Sequence, residues 1–202
     1  PKLGRFAAEG RLLKRGFDVL AAAAGLVLLS PILVGLCLAV RLDSPGPALH
    51  WSKRVGRYNR IFPMPKFRTM RSGAPNVATH LLADPDAWIT PLGRVLRRTS
   101  LDELPQLWSV LKGEMSFVGP RPERPEFVSE LAQAIPYYDL RHHVKPGITG
   151  WAQINYPYGA SIEDSRQKLE YDLYYAKNYS PFLDLLILLQ TLRVVLWPEG
   201  AR

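Results

Sequence analysis

VLAAAAGLVLLSPILVGLCLAV, residues 19–40, governs how the rest of this 202-residue chain is read. The stretch carries no charged side chain. As a straight helix it reaches ~33 Å, at about 1.5 Å per residue, enough to cross a hydrocarbon core of ~30 Å. Ser30-Pro31 near its middle argues against a straight crossing. Serine before proline is a helix-start signature: Ser accepts from free backbone N–H groups, and Pro suits the first turn. The run then reads as two half-helices of about 15–18 Å each, too short to span alone. Arg11, Lys14 and Arg15 precede it, and Arg41, Lys53, Arg54 and Arg57 follow. Basic flanks on both sides favour placing both ends on one face of a bilayer. The expected arrangement is a re-entrant hairpin dipping into one leaflet. A Pro-kinked spanning helix and a long buried core helix remain open alternatives.

Working outward, Ser180-Pro181 repeats the helix-start device before Phe182 to Trp197. Asp184, Gln190 and Arg193 interrupt that segment, and Trp197 suits a membrane interface. It is expected as an interfacial helix, with a docked core helix as the alternative. Between the two apolar ends the composition changes at the turn cluster Asp43-Ser-Pro-Gly-Pro47. Residues 49–70 alternate basic and apolar side chains and predict a strand pair, with Pro63 and Pro65 confining that strand to an edge. Helices are expected over Leu101–Leu111, Phe127–Ala134 and Glu163–Lys177, and a glycine turn over Lys145–Gly150. Few strands and many helices make the class α+β, helix-dominated. The expected division is residues 1–42, a basic N-terminal helix and membrane hairpin, and residues 43–202, a small catalytic domain.

The formal net charge of +8, from 26 Lys and Arg against 18 acidic residues, suits an anionic partner. Charge alone does not choose among nucleic acid, acidic lipid and diphosphate. The lone cysteine, Cys37, makes neither an internal disulfide nor a zinc site.

The strongest local signal is Ser100-Leu-Asp-Glu-Leu-Pro-Gln106. Ser100 and Glu103 have capping-box spacing. Pro105 competes with it, so the helix starts either there or nearer Pro105. In both cases Asp102 and Glu103 fall at a helix N-terminus, where the dipole favours a carboxylate and attracts phosphate. An ionised aspartate there can attack phosphorus or hold Mg²⁺; plain helix capping is the bland alternative. Prolines on both sides of Arg121 in Gly119-Pro-Arg-Pro122 limit where that guanidinium points, and a pre-positioned guanidinium clamps diphosphates. Lys145-Pro-Gly-Ile-Thr-Gly150 can cradle an anion with exposed backbone N–H groups. Lys66 and Arg68 alternate around an apolar residue, as on a half-buried strand. His142-His143 is read as surface, and Asp172 faces an active site or pairs with an arginine.

Taken in order, these segments resemble the bacterial sugar transferase family, the small monotopic phosphoglycosyl transferases. The matching pieces are the basic-flanked run with its Ser30-Pro31 break, Lys66-Phe-Arg-Thr-Met70, Thr99-Ser-Leu-Asp-Glu-Leu-Pro-Gln106, Leu111-Lys-Gly-Glu-Met-Ser116, Val118-Gly-Pro-Arg-Pro122, Val144-Lys-Pro-Gly-Ile-Thr-Gly150 and Tyr171-Asp-Leu-Tyr-Tyr175. Ile154-Asn-Tyr-Pro-Tyr-Gly-Ala-Ser161 looks like the exopolysaccharide-synthesis branch. The resemblance implies that Asp102 is the nucleophile, that Glu103 assists with Mg²⁺ or phosphate, and that both carboxylates are candidate metal ligands. It puts Lys66, Arg68, Arg121, Lys145 and Asp172 at the substrates, a UDP-sugar and a polyprenyl phosphate. It implies Mg²⁺ as cofactor, residence at the cytoplasmic face of a bacterial inner membrane, and no nucleic-acid partner; a homo-oligomer is open. Pro65 departs from the aromatic or aliphatic residue that members often carry before the Lys. Two rivals are a membrane-tethered nucleic-acid-binding module and a membrane-anchored scaffold. Asp102-Glu103 weighs against the first, because it lies where phosphate would be repelled.

Overall fold

The computed structural model describes residues 3–75, 84–157, 159 and 161–196. The apolar run folds as two helices, α1 (Leu3–Leu28) and α2 (Ser30–Asp43), bent by 62° at the break. Proline explains the bend: Pro31 withholds the amide that would bond the Val27 carbonyl, and its ring pushes that turn apart. The Ser30 hydroxyl donates to this orphaned carbonyl at 2.7 Å. Ser30 therefore back-bonds and does not cap, contrary to expectation. Leu29 keeps the bond from its own N–H to Gly25 O, and its carbonyl still receives Leu33 N, so no free amide faces the hydroxyl. Among the described residues no single helix is long and apolar enough to cross a membrane; the bent pair passes that test only together.

Both arms lie against the rest of the chain. Ala22 of α1 packs with Phe62, Met64, Val110 and Met115, and Val40 of α2 with Ala48, Phe67 and Leu96. The change in composition at residues 42–43 is thus no break in packing. The opposite faces stay apolar and exposed, at Leu13, Phe17, Leu20 and Val27 on α1 and at Ile32, Val34 and Leu38 on α2.

The expected strand pair is β1 (Leu49–Val55) and β2 (Ile61–Phe67), antiparallel, with Val55 opposite Ile61. Gly56 N bonds Arg60 O and Arg60 N bonds Arg57 O, so Tyr58 (φ 56°) and Asn59 (φ 58°) fill the two central positions of the Arg57–Arg60 turn. Two successive left-handed residues make the tight hairpin turn whose twist matches the strands. The Gly56–Arg60 pair sets the parity of the ladder, so Pro63 (opposite Lys53) and Pro65 (opposite Trp51) occupy non-hydrogen-bonded positions. Their missing amides would have pointed outward, so neither proline costs a ladder bond.

After the hairpin come α3 (Pro85–Trp88), α4 (Pro91–Arg98) and α5 (Gln106–Lys112). The expected helix 101–111 is therefore split. Leu101–Glu103 forms a single tight turn and α5 starts only after Pro105. Ser100 makes no capping bond; it sits at φ 56°, where it closes α4 and reverses the chain. β3 (Ser116–Val118), α6 (Pro125–Ala134) and β4 (Gly147–Thr149) follow. The expected glycine turn is in fact β4, which pairs in parallel with β3. Gly147 is required there because a side chain on it would collide with the Gly119 backbone. Helices α7 (Trp151–Asn155), α8 (Ile162–Asn178) and α9 (Pro181–Leu196) complete the chain. A Ser161–Asp164 capping box starts α8, and Ser180 Oγ accepts from Leu183 N at the head of α9. α9 docks through Leu183, Ile187 and Leu188 and leaves Phe182, Leu185, Leu189 and Leu192 exposed. The docking bears out the core-helix alternative, and the exposed apolar face is compatible with the interfacial reading; Trp197 lies outside the described residues. His142, read as surface, is buried, with Nδ1 2.5 Å from Asn59 Oδ1, and burial pushes its pKa down to about 4.

A buried polar knot joins α1, α8 and α9. Lys14 Nζ reaches Asp184 Oδ2 (2.6 Å), Val118 O (3.1 Å) and the Tyr175 hydroxyl (3.2 Å). Removing one partner of a buried ion pair strands the other charge, at about 3–5 kcal/mol. Lys14→Met is expected to destabilise by about that much, and Lys14→Met with Asp184→Leu by clearly less, read as urea midpoints of the three proteins.

Candidate active site

The tight turn that carries Asp102 and Glu103 is held from below by its apolar neighbours. Leu101 and Leu104 pack into the cluster of Val40, Phe67 and Leu96, which also takes Leu33 and Leu36 of α2. The two carboxylates are thereby fixed beside β2 and the Gly119–Pro122 loop. Glu103 Oε1 accepts from Lys66 Nζ at 2.6 Å and from Arg121 Nη2 at 2.7 Å, and Oε2 is 3.5 Å from Arg121 Nη1. Burial works against ionisation of Glu103, but Arg121 and Lys66 outweigh it and hold its pKa at about 2.

Asp102 has the opposite setting. It is 8% exposed, and burial raises its pKa, with Glu103 adding to the rise; Lys66 and Arg97 pull the other way without cancelling it. The bond to its carboxylate comes from its own backbone amide. Adjacent carboxylates are thus pushed apart: Glu103 is locked as an anion between two cations, while Asp102 keeps a more basic carboxylate.

Arg121 is positioned through its backbone. Arg141 Nη2 donates to Arg121 O at 3.0 Å, and Arg54 Nη1 donates to Pro122 O at 3.1 Å. Arg141 is fixed in turn by Asp172, 2.7 Å from Nη2, and by the Tyr138 hydroxyl at 2.8 Å.

Of the residues expected at the site, Asp102, Glu103, Lys66 and Arg121 are brought together. Three are not. Arg68 is buried against the C-terminal end of α2, donating to the carbonyls of Val40, Ser44 and Pro45, so it serves the frame. Lys145 lies beside Arg15 at Gly113, past the far end of α5, about 10 Å of helix away from the carboxylate turn. Asp172 is consumed by Arg141 and acts through it. Arg97 was missed. It feels the Asp102 charge and bonds Thr69 Oγ1 at 2.8 Å; within its helix it reads as one of several solvated arginines.

Mg²⁺ takes oxygen ligands, keeps several waters, and commonly needs only one or two protein carboxylates beside substrate phosphates. Asp102 fits that role. Glu103 does not, because its oxygens are already held by Lys66 and Arg121. Among the described residues there is no group of three or more His, Cys, Asp and Glu side chains that could hold a metal by itself.

Two adjacent carboxylates, the buried Asp102 and the half-buried Glu103 held by Lys66 and Arg121, thus stand over the bent apolar helix pair. Residues 9–198 match the bacterial sugar transferase family, and the chain belongs to it. It is 44% identical over 190 residues to a UDP-N-acetylgalactosamine-undecaprenyl-phosphate N-acetylgalactosaminephosphotransferase of Aeromonas hydrophila, covering 94% of this chain and 45% of that protein. It is 43% identical over 183 residues to a UDP-glucose:undecaprenyl-phosphate glucose-1-phosphate transferase of Escherichia coli, covering 90% and 39%. It is 39% identical over 208 residues to an undecaprenyl-phosphate galactose phosphotransferase of Salmonella typhimurium, covering 96% and 42%. The chain spans less than half the length of each of these relatives.

The Glu103 pairing carries a pH signature. An acid whose folded pKa is about 2 against an ordinary 4.5 contributes stability that is complete above 4.5 and is lost as pH falls toward 2. The full contribution is about 3 kcal/mol at 1.36 kcal/mol per pH unit, an upper bound because the Arg121 side chain is 43% exposed. Glu103→Gln is expected to lower stability at neutral pH and to flatten the acid limb, as measured by denaturant midpoints over that range.

Proposed function

We propose that this chain is the catalytic part of a phosphoglycosyl transferase. It moves a sugar phosphate from a UDP-sugar to a polyprenyl phosphate and releases UMP. The observation that carries this reading is the split between neighbouring carboxylates, Glu103 bound by Lys66 and Arg121 and Asp102 left as the more basic group. Family membership and the activities named for the relatives support it. Their names differ in the sugar, so the reading stops at a UDP-linked hexose or N-acetylhexosamine.

An oxygen of Asp102 attacks the sugar-side phosphorus. The bond from that phosphorus to the bridging oxygen breaks, and the electron pair leaves with UMP. The resulting acyl phosphate joins Asp102 to the phosphosugar. An oxygen of the polyprenyl phosphate then attacks the same phosphorus, the Asp102–phosphorus bond breaks, and the carboxylate is regenerated. The bond from C1 to oxygen is never cut, so the anomeric configuration persists. Lys66 and Arg121 hold the diphosphate, and Glu103 keeps both cations aimed at it. Mg²⁺ bound at Asp102 would neutralise phosphate charge.

The lipid substrate favours insertion of the bent pair into one leaflet at the cytoplasmic face of a bacterial inner membrane. The apolar outer faces of α1, α2 and α9 suit lipid contact, and a pair bent by 62° could return to the face it entered, which would leave the carboxylates near headgroup level. Asp102→Asn is expected to abolish both UMP release and the phosphosugar adduct detected by intact mass. Turnover retained within tenfold of the native protein would exclude covalent transfer through Asp102.

A further inference from the structure

At the far end of α5, away from the carboxylate turn, two cations crowd one point. A side chain on Gly113 would meet Arg15 Nη2 at 3.2 Å and Lys145 Nζ at 3.3 Å. Arg15 has a structural reason to be there. Its Nη1 donates to Val110 O at 2.7 Å and its Nη2 to Leu111 O at 2.8 Å, where α5 ends and its carbonyls lack amide partners. Lys145 has no such reason: it is half-buried, yet its ammonium makes no hydrogen bond or ion pair among the described residues. Burial lowers its pKa, and the charges of Arg15, Arg57 and Lys14 lower it further; Asp18 pulls the other way without cancelling them. Asp18 is itself 2% exposed and accepts from Ser116 Oγ at 3.0 Å and from Phe117 N at 3.1 Å. Glu114, next to Gly113, is taken by Lys112 at 2.8 Å. The ammonium thus stands among like charges with no carboxylate of its own, and an anion bridging it to Arg15 relieves that cost.

We infer that Arg15 and Lys145 bind the phosphate of an anionic phospholipid, at a site separate from the carboxylate turn and outside the transfer reaction. The inference rests on the membrane reading above and adds a lipid ligand to it. About 20 Å of helix separates Arg15 from the bend at Leu29. In a pair that dips and returns, that length brings Arg15 up toward headgroup depth. From Arg15 toward the bend, α1 exposes Phe17, Leu20 and Val27, which suit the acyl chains. A phosphodiester offers two charged oxygens, one for the remaining N–H groups of the guanidinium and one for the ammonium. Free phosphate meets the same two cations, but the bilayer holds the lipid's phosphate beside them at a far higher effective concentration.

The test is the thermal melt of the full chain in nanodiscs of phosphatidylcholine alone and of phosphatidylcholine mixed with phosphatidylglycerol. The native protein is expected to melt higher in the mixed discs. Lys145→Gln is expected to lose most of that rise and Lys145→Arg to keep it. Lys53→Gln, which removes an equal charge from an exposed position of β1, is expected to keep it as well. In phosphatidylcholine alone Lys145→Gln is expected to melt no lower than the native protein, because it removes an unpaired charge. A lower melt there assigns the lysine to the end of α5 and overturns the inference. So does a native protein with no rise, a rise that Lys145→Gln retains, or an equal loss in Lys53→Gln, which marks general surface charge. Inorganic phosphate added to the phosphatidylcholine discs is expected to leave the melt unchanged; a rise equal to that given by the anionic lipid means a free phosphate and overturns the lipid assignment. Failure of the membrane reading looks different: the chain then enters neither disc, and the lipid site falls with it. Equal entry into both discs with no difference in melting removes the site and leaves insertion standing.

Discussion

Glu103 is the junction on which the site depends. One half-buried carboxylate joins β2 through Lys66, the proline-bounded loop through Arg121, and the turn on which it sits. Leaving Glu103 or Lys66 without its partner in this half-buried setting is costly, and less so for Arg121, whose side chain is 43% exposed, so arrangements in which Lys66 swings away are disfavoured. The cationic rim of the turn is therefore held in place by the protein's own carboxylate. The same junction gives Asp102 its character. A locked anion next door and a buried setting both resist ionisation, and Lys66 and Arg97 supply only partial relief.

The turn itself stands on the bent helix pair. Leu101 and Leu104 share a core with Val40 and Leu36 of α2, and α1 contributes Ala22 to the core under β2 and α5. The apolar pair is thus a foundation and not an appendage. A change in the angle at Pro31 moves the floor under both carboxylates. A second support reaches the loop from behind, where Asp172 orients Arg141 and Arg141 holds the Arg121 carbonyl.

Local punctuation made much of the fold legible. Pro31, Pro91, Pro125 and Pro181 each stand at the first turn of a helix. The alternation over residues 49–67 predicted the hairpin. The destinations of long side chains were not legible, because a guanidinium reaches as far as several residues of chain. Arg68 and Arg121 look alike in sequence, yet one is spent on backbone carbonyls and the other faces the site. Ser100 meets the spacing of a capping box, but the chain needs that residue in the left-handed region to leave α4, which turns its side chain away from the cap. The β3–β4 pair escaped notice because three residues with a glycine show no strand periodicity.

The prolines of β2 have a bearing on solubility in crowded surroundings. A sheet of two strands consists entirely of edges, and an exposed row of amide donors is an invitation to pair with a foreign strand. On the outer side of β2 two neighbouring donors are missing, at Pro63 on the exposed stretch and at Pro65, where the edge is already buried. An incoming strand would find acceptors there without their matching donors, so its ladder cannot propagate. The exposed Pro63, at first sight ill suited to a strand, therefore guards the open part of this edge against intermolecular β-addition.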